Sequence, residues 1–518
     1  MRKFNITGNC IKKKHYMVDI SKKLEKIKAM VDDECYFTIN RARQYGKTTT
    51  LYHLQEMLKS EYICLKISFE GGDKMFLSAE DFCKGFLQLL DQETEIDYAN
   101  IGLSWGNESV NSIETLGNYL SEICKDYRIV LLIDEVDRSS NNHLFLNFLG
   151  MLRNKHIQRN AGRGHTFHSV ILAGVHDIKN IKQKMITAGT HTQSAGEGNY
   201  NSPWNIAAKF KVDMSFSPAE IETMLSDYEE DHATGMNIPK MAQEIYNYTG
   251  GYPFLVSDIC KIIDEDLDEN WTAGGVQFAV KMLLKERNTL FDDIIKNLEN
   301  SKELSSLIFD LLIMGRQISF VLSNPLINLG AMYGFIKESN NRTAISNTIF
   351  ELYLADYFIS KEETKKYANN QTTISDVVKN NKFDMETCLR KFAQHYFEMF
   401  RKEDVSFLER HGRMLFLMHL RPLINGVGFY HIETETRDNK RFDIVVDYGD
   451  EQFIIELKLW YGDKKHEEAY EQLLDYMSIK NAQTGYLLTF DFRKEVNKER
   501  KEEWVEFDGG RRIFDVMV

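Results

Sequence analysis

The sequence predicts an α/β protein of several domains, and three observations support this fold class. The chain has 518 residues, more than one hydrophobic core usually contains, so we expect about two to four domains. Short apolar segments alternate with helical patterns from about residue 20 to 215, which is typical of a parallel sheet covered by helices on both faces. A polar stretch at 361–382 then precedes a second group of strands and helices at 383–518.

The composition excludes several classes of protein. Hydrophobic residues make up 43% of the chain and charged residues 27%, as in ordinary globular proteins. The net charge of −13 means that any contact with nucleic acid would need a local basic patch. Seven cysteines without a C-x-x-C pair favour a reducing, cytoplasmic environment over a disulfide framework or a zinc ribbon. No run of 18 apolar residues occurs, so we expect neither a membrane span nor secretion.

Apolar segments in the first part of the chain are predicted to be strands, and the pattern becomes helical after them. Ser217 is a candidate N-cap with Pro218 in the first helical position, which predicts that a helix begins there. The five predicted strands are 36–40, 62–69, 128–137, 167–174 and 210–216.

Residues 40–51, NRARQYGKTTTL, end like a phosphate-binding loop but begin differently. The usual pattern, G-x-x-x-x-G-K-[ST], has glycine where this chain has Arg41. The segment joins a predicted strand to a predicted helix, so backbone N–H groups and the helix dipole could face phosphates. Lys47 would then reach the β- and γ-phosphates of a nucleotide, and Thr48 would hold Mg²⁺. The alternative is a basic loop without this function.

A second motif, RIVLLIDEVD at 128–137, complements the loop. Phosphoryl transfer needs a carboxylate near Mg²⁺, for which Asp134 is the candidate, and a base that orients water, for which Glu135 is the candidate. The alternative is a surface Asp-Glu pair after a buried strand. The two motifs together predict a nucleotide site. His176 and Asp177 are candidate γ-phosphate sensors or ordinary loop residues.

Together with SVILAGVHDI, NSPWNIA and GGYPFL, these motifs resemble the AAA-like ATPase family of bacteria and archaea, over about residues 1–360. That family has a loop of the form R-x-R-x-[FY]-G-K-[ST], so the missing glycine is compatible with an active site. The resemblance implies ATP and Mg²⁺ as ligands, with Thr48 and Asp134 at the metal. It implies nucleotide contacts for Arg41, Arg43, Gln44, Tyr45, Gly46, Lys47, Thr48, Thr49, Asp134, Gly251 and Pro253.

The same resemblance implies how this part of the chain is organised. It gives a P-loop core of the branch with a catalytic glutamate (ASCE, AAA-like) at 1–216, a helical lid at 217–300 and a winged helix at 301–360, with 361–382 as a linker. A structural helical bundle is the alternative to the winged helix. Neighbouring subunits often complete such sites, so a homo-oligomer is plausible. The arginine-finger candidates, chosen by location only, are Arg153, Arg159 and Arg163.

A second candidate site lies in the predicted hairpin RFDIVVDYGDEQFIIELKLW. Asp443 is in the first strand, and Glu456 and Lys458 lie two residues apart in the second, so they share one face. Acids among apolar neighbours are costly to bury unless a cation compensates them. Mg²⁺ prefers such oxygen ligands, and Mn²⁺ is a possible alternative at the same site. Lys458 could orient the water that attacks the phosphodiester.

Residues on two predicted helices extend this second site. Glu409 precedes the strands and is a possible further metal ligand. Gln472 and Tyr476 lie four residues apart on a later helix, so they share a face. They could contact nucleic acid or brace the lysine, and plain amphipathic packing is the alternative.

These elements resemble the PD-(D/E)XK nuclease superfamily, with a restriction-endonuclease-like α/β domain over about 383–518. The resemblance implies that Asp443 and Glu456 bind metal and that Lys458 is catalytic. The proline of the motif is Phe442 here, which leaves the aspartate in place. Basic residues that could follow a phosphate backbone are Arg437, Lys440, Arg441, Lys464, Lys465, Arg493, Lys494, Arg511 and Arg512.

The preferred hypothesis is that the chain is a DNA nuclease whose activity is regulated by ATP. Its pairing of domains is typical of defence or mobile-element proteins, a role implied only by the resemblance. A second hypothesis is a nucleotide-dependent switch whose nuclease-like domain binds nucleic acid or a protein without cutting. A third is an ATPase with a structural C-terminal domain, which is disfavoured because such a domain has no need of buried acids and a lysine.

Overall fold

The chain forms two compact units, and each is described separately. The first contains Met1–Ile294 and Leu329–Gly334, and the second contains Ile295–Asn328 and Phe335–Val518. The computed structural model describes residues 2–70, 73–106, 109–136, 143–175, 204–313, 316–363, 372–380, 382–400, 405–424, 427–433, 443–449, 451–460, 462–491 and 501–518.

A four-stranded parallel sheet is the centre of the first unit, as predicted. Its strands are β1 (Tyr36–Asn40), β2 (Ile63–Ser68), β3 (Ile129–Asp134) and β4 (Ser169–Gly174), in the order β1-β4-β3-β2. Every residue of β3 and β4 is buried, because helices cover both faces of the sheet. Since β4 lies between β1 and β3, the ends of all three strands meet at one edge.

The fifth predicted strand, 210–216, is wrong. The only strand-like contact of this region among the described residues is one isolated bridge between Phe37 and Ala208. Further along, the carbonyl of Val212 accepts a hydrogen bond from the Arg41 guanidinium at 2.8 Å. Val212 and Met214 are nevertheless buried. The apolar residues of 210–216 are therefore explained by burial within the first unit and not by pairing with another strand.

Helices surround the sheet and then continue alone. The predicted helix start at Ser217 is confirmed, because the Ser217 hydroxyl accepts from the Glu220 N–H at 3.3 Å and the Glu220 carboxylate accepts from the Ser217 N–H at 2.8 Å. The helices are α1 (Ser21–Asp32), α2 (Lys47–Leu58), α3 (Ala79–Tyr98), α4 (Ile113–Asp126), α5 (His143–Asn160), α6 (Pro218–His232), α7 (Ile238–Thr249), α8 (Pro253–Asp266), α9 (Ala273–Lys285) and α10 (Thr289–Asn300).

The next segment contains two helices, a two-stranded antiparallel sheet and a third helix, and its assignment as a winged helix stays a prediction. Part of the predicted linker also has regular structure, since Val377 and Phe383 are buried and anchor a short helix and hairpin. The elements are α11 (Lys302–Leu312), α12 (Pro325–Met332), β5 (Ile336–Ser339), β6 (Arg342–Ile345), α13 (Thr348–Glu363), α14 (Ile374–Val377), β7 (Val378–Lys379) and β8 (Lys382–Phe383).

A six-stranded mixed sheet ends the second unit. Its order is β13-β14-β12-β11-β10-β9, with β9, β10 and β11 antiparallel and β11, β12 and β14 parallel. The three predicted strands are β10, β11 and β12, and the other three were not predicted. The elements are α15 (Met385–Phe400), α16 (Val405–Ile424), β9 (Gly428–Glu433), β10 (Asp443–Tyr448), β11 (Glu451–Leu459), α17 (Asp463–Ile479), β12 (Thr484–Phe490), β13 (Lys501–Phe507) and β14 (Arg511–Met517).

Two expectations from the composition can be compared with the structure. All seven cysteines are free thiols. Among the described helices, none combines the length and the apolar character needed to cross a lipid bilayer.

Replacing Gly251 with alanine is expected to destabilise the first unit more than the same change at Gly235. Both glycines have left-handed backbone, with φ of +74° and +76°. A Cβ on Gly251 would lie 2.0 Å from the carbonyl oxygen of Phe216, whereas a Cβ on Gly235 meets no described atom within 4 Å. Gly235→Ala should therefore cost only the left-handed strain of about 1–2 kcal/mol.

Denaturant titration of both variants measures this difference in the free energy of unfolding. We expect Gly251→Ala to lose at least about 1 kcal/mol more than Gly235→Ala, since the backbone at Phe216 must also shift. Equal losses of unfolding free energy in the two variants would show that the close approach of Phe216 does not affect stability.

Candidate active sites

The first candidate site is a cavity of about 710 Å³ in the first unit, at the edge where β1 and β3 end. Ten of the predicted residues line it, and the predicted Arg41 and Gly251 are not among the lining residues. The ten are Arg43, Gln44, Tyr45, Gly46, Lys47, Thr48, Thr49, Asp134, Glu135 and Pro253.

The loop between β1 and α2 has the backbone of an anion site. Gly46 precedes α2 with φ +74°, and no N-cap side chain bonds to the first turn of this helix, whose residues are all described. The first turn also has no acidic residue. Neither a capping side chain nor an acidic residue therefore competes with a negatively charged group at this helix start, and the donors present fit a phosphate.

Lys47 lies over this loop. Its ammonium donates to the carbonyl of Arg41 at 2.9 Å and to that of Ala42 at 2.8 Å. The side chain thus returns across the loop and concentrates positive charge beside the N-terminus of α2. This is the position in which a lysine can exchange carbonyl partners for phosphate oxygens.

Arg41, at the position of the usual glycine, has a different environment from the one predicted. Its guanidinium donates to the carbonyls of Asn40 and Val212, each at 2.8 Å, and lies over the Phe210 ring. Burial lowers the pKa of Arg41 from its usual value. The backbone at Arg41 is not left-handed, whereas Gln44 and Gly46 are, so glycine is not required at Arg41. Its nucleotide contact stays a prediction.

The Gly-x-Pro element lies against the loop. The Tyr252 hydroxyl donates to the carbonyl of Arg43, and its ring meets that of Tyr45 edge-on with 4.6 Å between centroids. Pro253, the first residue of α8, lies 3.9 Å from where a side chain on Gly46 would begin. Tyr252 was not predicted, because a tyrosine in a turn carries no sequence signal for this role.

Asp134 and Glu135 lie together at the end of β3. Asp134 is only 4% exposed, and its carboxylate accepts from the Glu135 N–H at 2.9 Å. Glu135 has φ +53°, a left-handed conformation that costs a non-glycine residue about 1 kcal/mol or more. Such strain is concentrated at functional sites, where the surrounding structure maintains it. The buried carboxylate beside an anion-binding loop fits a divalent cation between them.

The N-terminal segment also contributes to this cavity, and sequence reasoning missed it. Asn5 through Gly8 and Cys10 line the cavity. The Cys10 N–H donates to the Thr49 hydroxyl at 3.2 Å, and the His53 ring contacts the Cys10 carbonyl at 3.0 Å. The segment has no periodic pattern, so only its contacts reveal the role.

Other predicted residues of the first unit are less informative. His176 and Asp177 lie outside the described residues. The Arg159 guanidinium donates to the carbonyls of Phe167 and His168 at 2.6 and 2.9 Å, which ties α5 to β4. Its use as an arginine finger for a neighbouring subunit would have to break these bonds.

The second candidate site lies where β10 and β11 pair. Asp443 is directly opposite Glu456 in the antiparallel register, and the side chain of Asp443 lies outside the described atoms. The Glu456 carboxylate is 2% exposed and pairs with the Lys458 ammonium. Burial raises the pKa of Glu456 to about 7, although Lys458 and, more weakly, Arg413 lower it.

The Lys458 ammonium also donates to the Gln472 side-chain carbonyl at 2.9 Å. Gln472 lies on α17, so this helix braces the lysine beside Glu456. Tyr476, one turn later, is buried in the core cluster with Ile454 and Leu473. The structure thus brings Gln472 to the site and places Tyr476 in the core beside it. Their contacts with nucleic acid stay predictions.

Helix α16 adds a cation that was not predicted. Glu409 lies on this helix, with its side chain outside the described atoms, and Arg413 follows one turn later. The Arg413 guanidinium donates to the carbonyl of Ile313 at 2.9 Å and exerts an electrostatic effect on Glu456. The i, i+4 spacing from Glu409 was the signal that could have identified it.

The proposed basic patch is only partly described. Lys464 and Lys465 are exposed at the start of α17. Arg511 bonds to the Ser478 hydroxyl at 2.5 Å, and Arg512 lies over the Trp504 ring at 4.4 Å. The members outside the described residues are Arg437, Lys440, Arg441, Arg493 and Lys494.

The comparisons with known proteins agree with both sets of motifs. Residues 11–356 match the AAA-like domain family, so the chain belongs to that family. Residues 427–501 match the PD-(D/E)XK nuclease superfamily. The comparison with curated proteins finds no significant match.

Solved structures also resemble the chain at low identity. The Walker-type ATPase of Pyrococcus abyssi is 12% identical, with a TM-score of 0.47, over 68% of this chain and 99% of its own. The Aeropyrum pernix ORC2 protein, in its ADPNP–ADP complexes, is 11% identical, with a TM-score of 0.33, over 67% and 94%. Its ADP form is 12% identical, with a TM-score of 0.32, over 66% and 93%.

Glu456 should make the metal-free protein less stable as the pH rises. Its pKa is about 7 in the folded chain against an ordinary 4.5, so the unfolded chain releases this proton first. The contribution of Glu456 to stability is therefore complete below about pH 4.5 and is lost as the pH rises through about 7. Glu456→Gln should remove this loss.

Denaturant titrations in a chelator at about pH 5 and pH 8 measure the effect. The free energy of unfolding should fall more between these values in the unmodified protein than in Glu456→Gln. Glu468→Gln, an exposed change on α17, is the matched control and should behave like the unmodified protein. The same fall in all three proteins would contradict the assignment to Glu456.

Proposed function

We propose that the chain is an ATP-regulated nuclease, in which the AAA-like part binds and hydrolyses ATP and residues 383–518 cleave DNA phosphodiesters with a divalent metal. The observation that carries the proposal is the buried Glu456–Lys458–Gln472 arrangement opposite Asp443. A purely structural domain gains nothing from a carboxylate that is 2% exposed and a lysine held beside it. The proposed boundaries are 1–216 for the P-loop core, 217–300 for the lid, 301–360 for the winged helix, 361–382 for the linker and 383–518 for the nuclease.

In the proposed ATPase, the N–H groups at the start of α2 and the Lys47 ammonium bind the phosphates. When ATP binds, the Lys47 ammonium exchanges its two neutral carbonyl partners for the charged oxygens of the phosphates, which are stronger acceptors. Thr48 and Asp134 would hold Mg²⁺, which neutralises the charge that develops on the phosphates. Glu135 orients water, and its carboxylate position is set by the strained turn after β3.

In the proposed nuclease, Asp443 and Glu456 would hold Mg²⁺ or Mn²⁺, with Glu409 as a further ligand. When bound, the metal supplies an activated water and stabilises charge on the phosphate. Lys458 is the residue that orients the water or neutralises the phosphate, and Gln472 fixes the position of its ammonium. Lys464 and Lys465, at the start of α17, would contact the DNA backbone.

The remaining parts of the proposal rest on the resemblance and the composition. Pairing of these two domains suggests a role in defence or with mobile elements in the cytoplasm. A homo-oligomer would allow a neighbouring subunit to complete the ATP site. DNA is the expected substrate because the nuclease superfamily acts on nucleic acid.

Two changes in the first unit should separate ATP binding from hydrolysis. Lys47→Ala should abolish binding, because it removes the charge above the loop. Glu135→Gln should retain binding and slow hydrolysis by about 10²–10⁴-fold, the usual contribution of a general base. Binding of a fluorescent ATP analogue and release of phosphate measure the two steps. Lys209→Ala, an exposed lysine outside the cavity, should change neither and serves as the control.

Asp443→Asn should reduce metal-dependent cutting of plasmid and linear DNA by about 100-fold or more, since it removes a proposed metal ligand. Asp447→Asn is the matched control, because Asp447 lies on the same strand but is opposite Gln452. Cutting is measured with Mg²⁺ and with Mn²⁺, each with and without ATP. A change with ATP gives the sign of regulation.

Two results would contradict the nuclease. Equal cutting by Asp443→Asn and the unmodified protein would assign the activity to a contaminant or to other residues. Intact ATPase activity with no cutting, and with no Mg²⁺ or Mn²⁺ affinity by calorimetry, would favour the switch that binds nucleic acid or a protein without cutting.

A further inference from the structure

The N-terminal strap, residues 2–18, connects the ATP cavity to the lid. Its ends pair through the backbone, since the Lys3 N–H donates to the Lys14 carbonyl at 3.1 Å and the Tyr16 N–H donates to the Lys3 carbonyl at 3.0 Å. The loop between them lines the cavity and bonds to Thr49 on α2 through Cys10. The base of the strap lies on lid helix α6. The strap is therefore attached both to α2, at the end of the phosphate loop, and to α6.

A chain of polar contacts attaches the strap to the lid. The Tyr16 hydroxyl donates to the Asp231 carboxylate at 2.9 Å and contacts Nε2 of His232 at 3.1 Å. Nδ1 of His232 contacts the Glu269 carboxylate at 2.8 Å. The imidazole stacks on Tyr228 with 4.0 Å between ring centroids, so the ring plane is set by packing.

The protons in this chain can be counted. Three contacts, Glu269–His232, His232–Tyr16 and Tyr16–Asp231, need one proton each. Carboxylates only accept, and the phenol has one proton to give. Burial raises the pKa of Tyr16, and the hydrogen bond from Tyr16 lowers that of Asp231, so this contact keeps its phenol proton. The imidazole must therefore donate from both nitrogens.

Neutral His232 cannot satisfy all three contacts. With its proton on Nδ1, the lone pair of Nε2 competes with Asp231 for the single proton of Tyr16. With its proton on Nε2, the lone pair of Nδ1 faces the Glu269 carboxylate at 2.8 Å, which is repulsive. Only the doubly protonated ring gives each contact a proton.

Other charged groups near the ring do not remove this requirement. Arg2 bonds to Asp231 at 3.1 Å and to Asp227 at 2.9 Å, so it supports the carboxylates and not the imidazole. Asp264 on α8 accepts from the Tyr228 hydroxyl at 2.6 Å. A carboxylate oxygen of Asp264, a carboxylate oxygen of Glu269 and a ring nitrogen of His232 all lie within 4.8 Å of one another.

We propose that His232, Glu269 and Tyr16 form a proton-operated latch that holds the N-terminal strap on the lid and so sets how long ATP stays bound. The proposal rests on the proposed ATP site. Histidine exchanges its second proton between about pH 5 and 8. The latch is closed while the ring is doubly protonated and weakens as the pH rises and the ring loses that proton. ATP should therefore leave more slowly at low pH.

Release of a fluorescent ATP analogue from the full chain, chased with excess ATP by stopped flow, tests the latch. Between about pH 6 and pH 8 the release rate of the unmodified protein should rise about tenfold, the effect of one charge-assisted hydrogen bond. His232→Gln should release quickly at both values. His165→Gln removes an exposed histidine away from the latch, and it should behave like the unmodified protein.

Glu269→Gln gives the sharpest comparison. An amide can donate to Nδ1, so neutral His232 can then donate from Nε2 to Tyr16, and every contact keeps a proton. This variant should release slowly at both pH values, whereas His232→Gln releases quickly at both. A merely structural role for these residues would accelerate release in both variants. That result, or an unchanged pH dependence in His232→Gln, would overturn the latch.

Hydrogen exchange of the nucleotide-free chain separates failure of the latch from failure of the ATP site. At about pH 6 the amides of residues 2–18 should be less protected in His232→Gln than in the unmodified protein, and at about pH 8 the two should agree. Equal protection at the lower pH would overturn the latch. Absence of analogue binding at both pH values, with this exchange difference present, would overturn the ATP site alone.

Discussion

Buried carboxylates on strands set the constraint on which both candidate sites depend. Asp134 and Glu456 each lie within an apolar sheet, and a buried charge is stable only with donors or cations beside it. Asp134 receives the N–H of Glu135, and Glu456 receives the ammonium of Lys458. Each of these contacts fixes the position of a second candidate residue. The water-orienting candidate and the candidate catalytic lysine are therefore positioned by the cost of burying their neighbours.

The first site depends in addition on backbone shape. The loop before α2 needs left-handed residues at Gln44 and Gly46, so that successive N–H groups converge at the helix start. The start of α8 supports this shape through Tyr252, which bonds to the Arg43 carbonyl, and through Pro253, which packs near Gly46. A nucleotide in the cavity would contact the loop, the lid and the N-terminal strap. Its binding energy would thus be shared among three segments that are distant in sequence.

Much of the fold could be predicted from periodicity and capping. The four apolar segments of the first sheet became strands because each is long enough to cross a buried sheet, and Ser217 began a helix because its side chain caps the first turn. The segment 210–216 has the same apolar character, but next to the edge strand β1 the described chain forms only the isolated bridge between Phe37 and Ala208, which precedes this segment. Strands β9, β13 and β14 mix polar and apolar residues without strict alternation, so their pattern was too weak to detect.

The candidate sites could likewise be predicted only in part. Motif spacing made Lys47, Asp134, Asp443, Glu456 and Lys458 candidates, since chemistry that needs adjacent residues leaves a local pattern in the chain. It could not separate the two interpretations of Gln472 and Tyr476, because a helix face shows which residues are neighbours and not what they meet. The structure places one beside the lysine and the other in the core.

The sequence by itself determined the candidate groups: a Gly-Lys-Thr loop between a strand and a helix, a carboxylate pair after a strand, and two acids with a lysine on a hairpin. Only the tertiary structure decided which of these groups meet. Arg41 donates to the carbonyl of Val212, Tyr252 supports the loop, and His232 meets Glu269 and, across more than 200 residues of chain, Tyr16. The physical reason is that hydrogen bonds and burial depend on distance in space, whereas a sequence pattern records only distance along the chain.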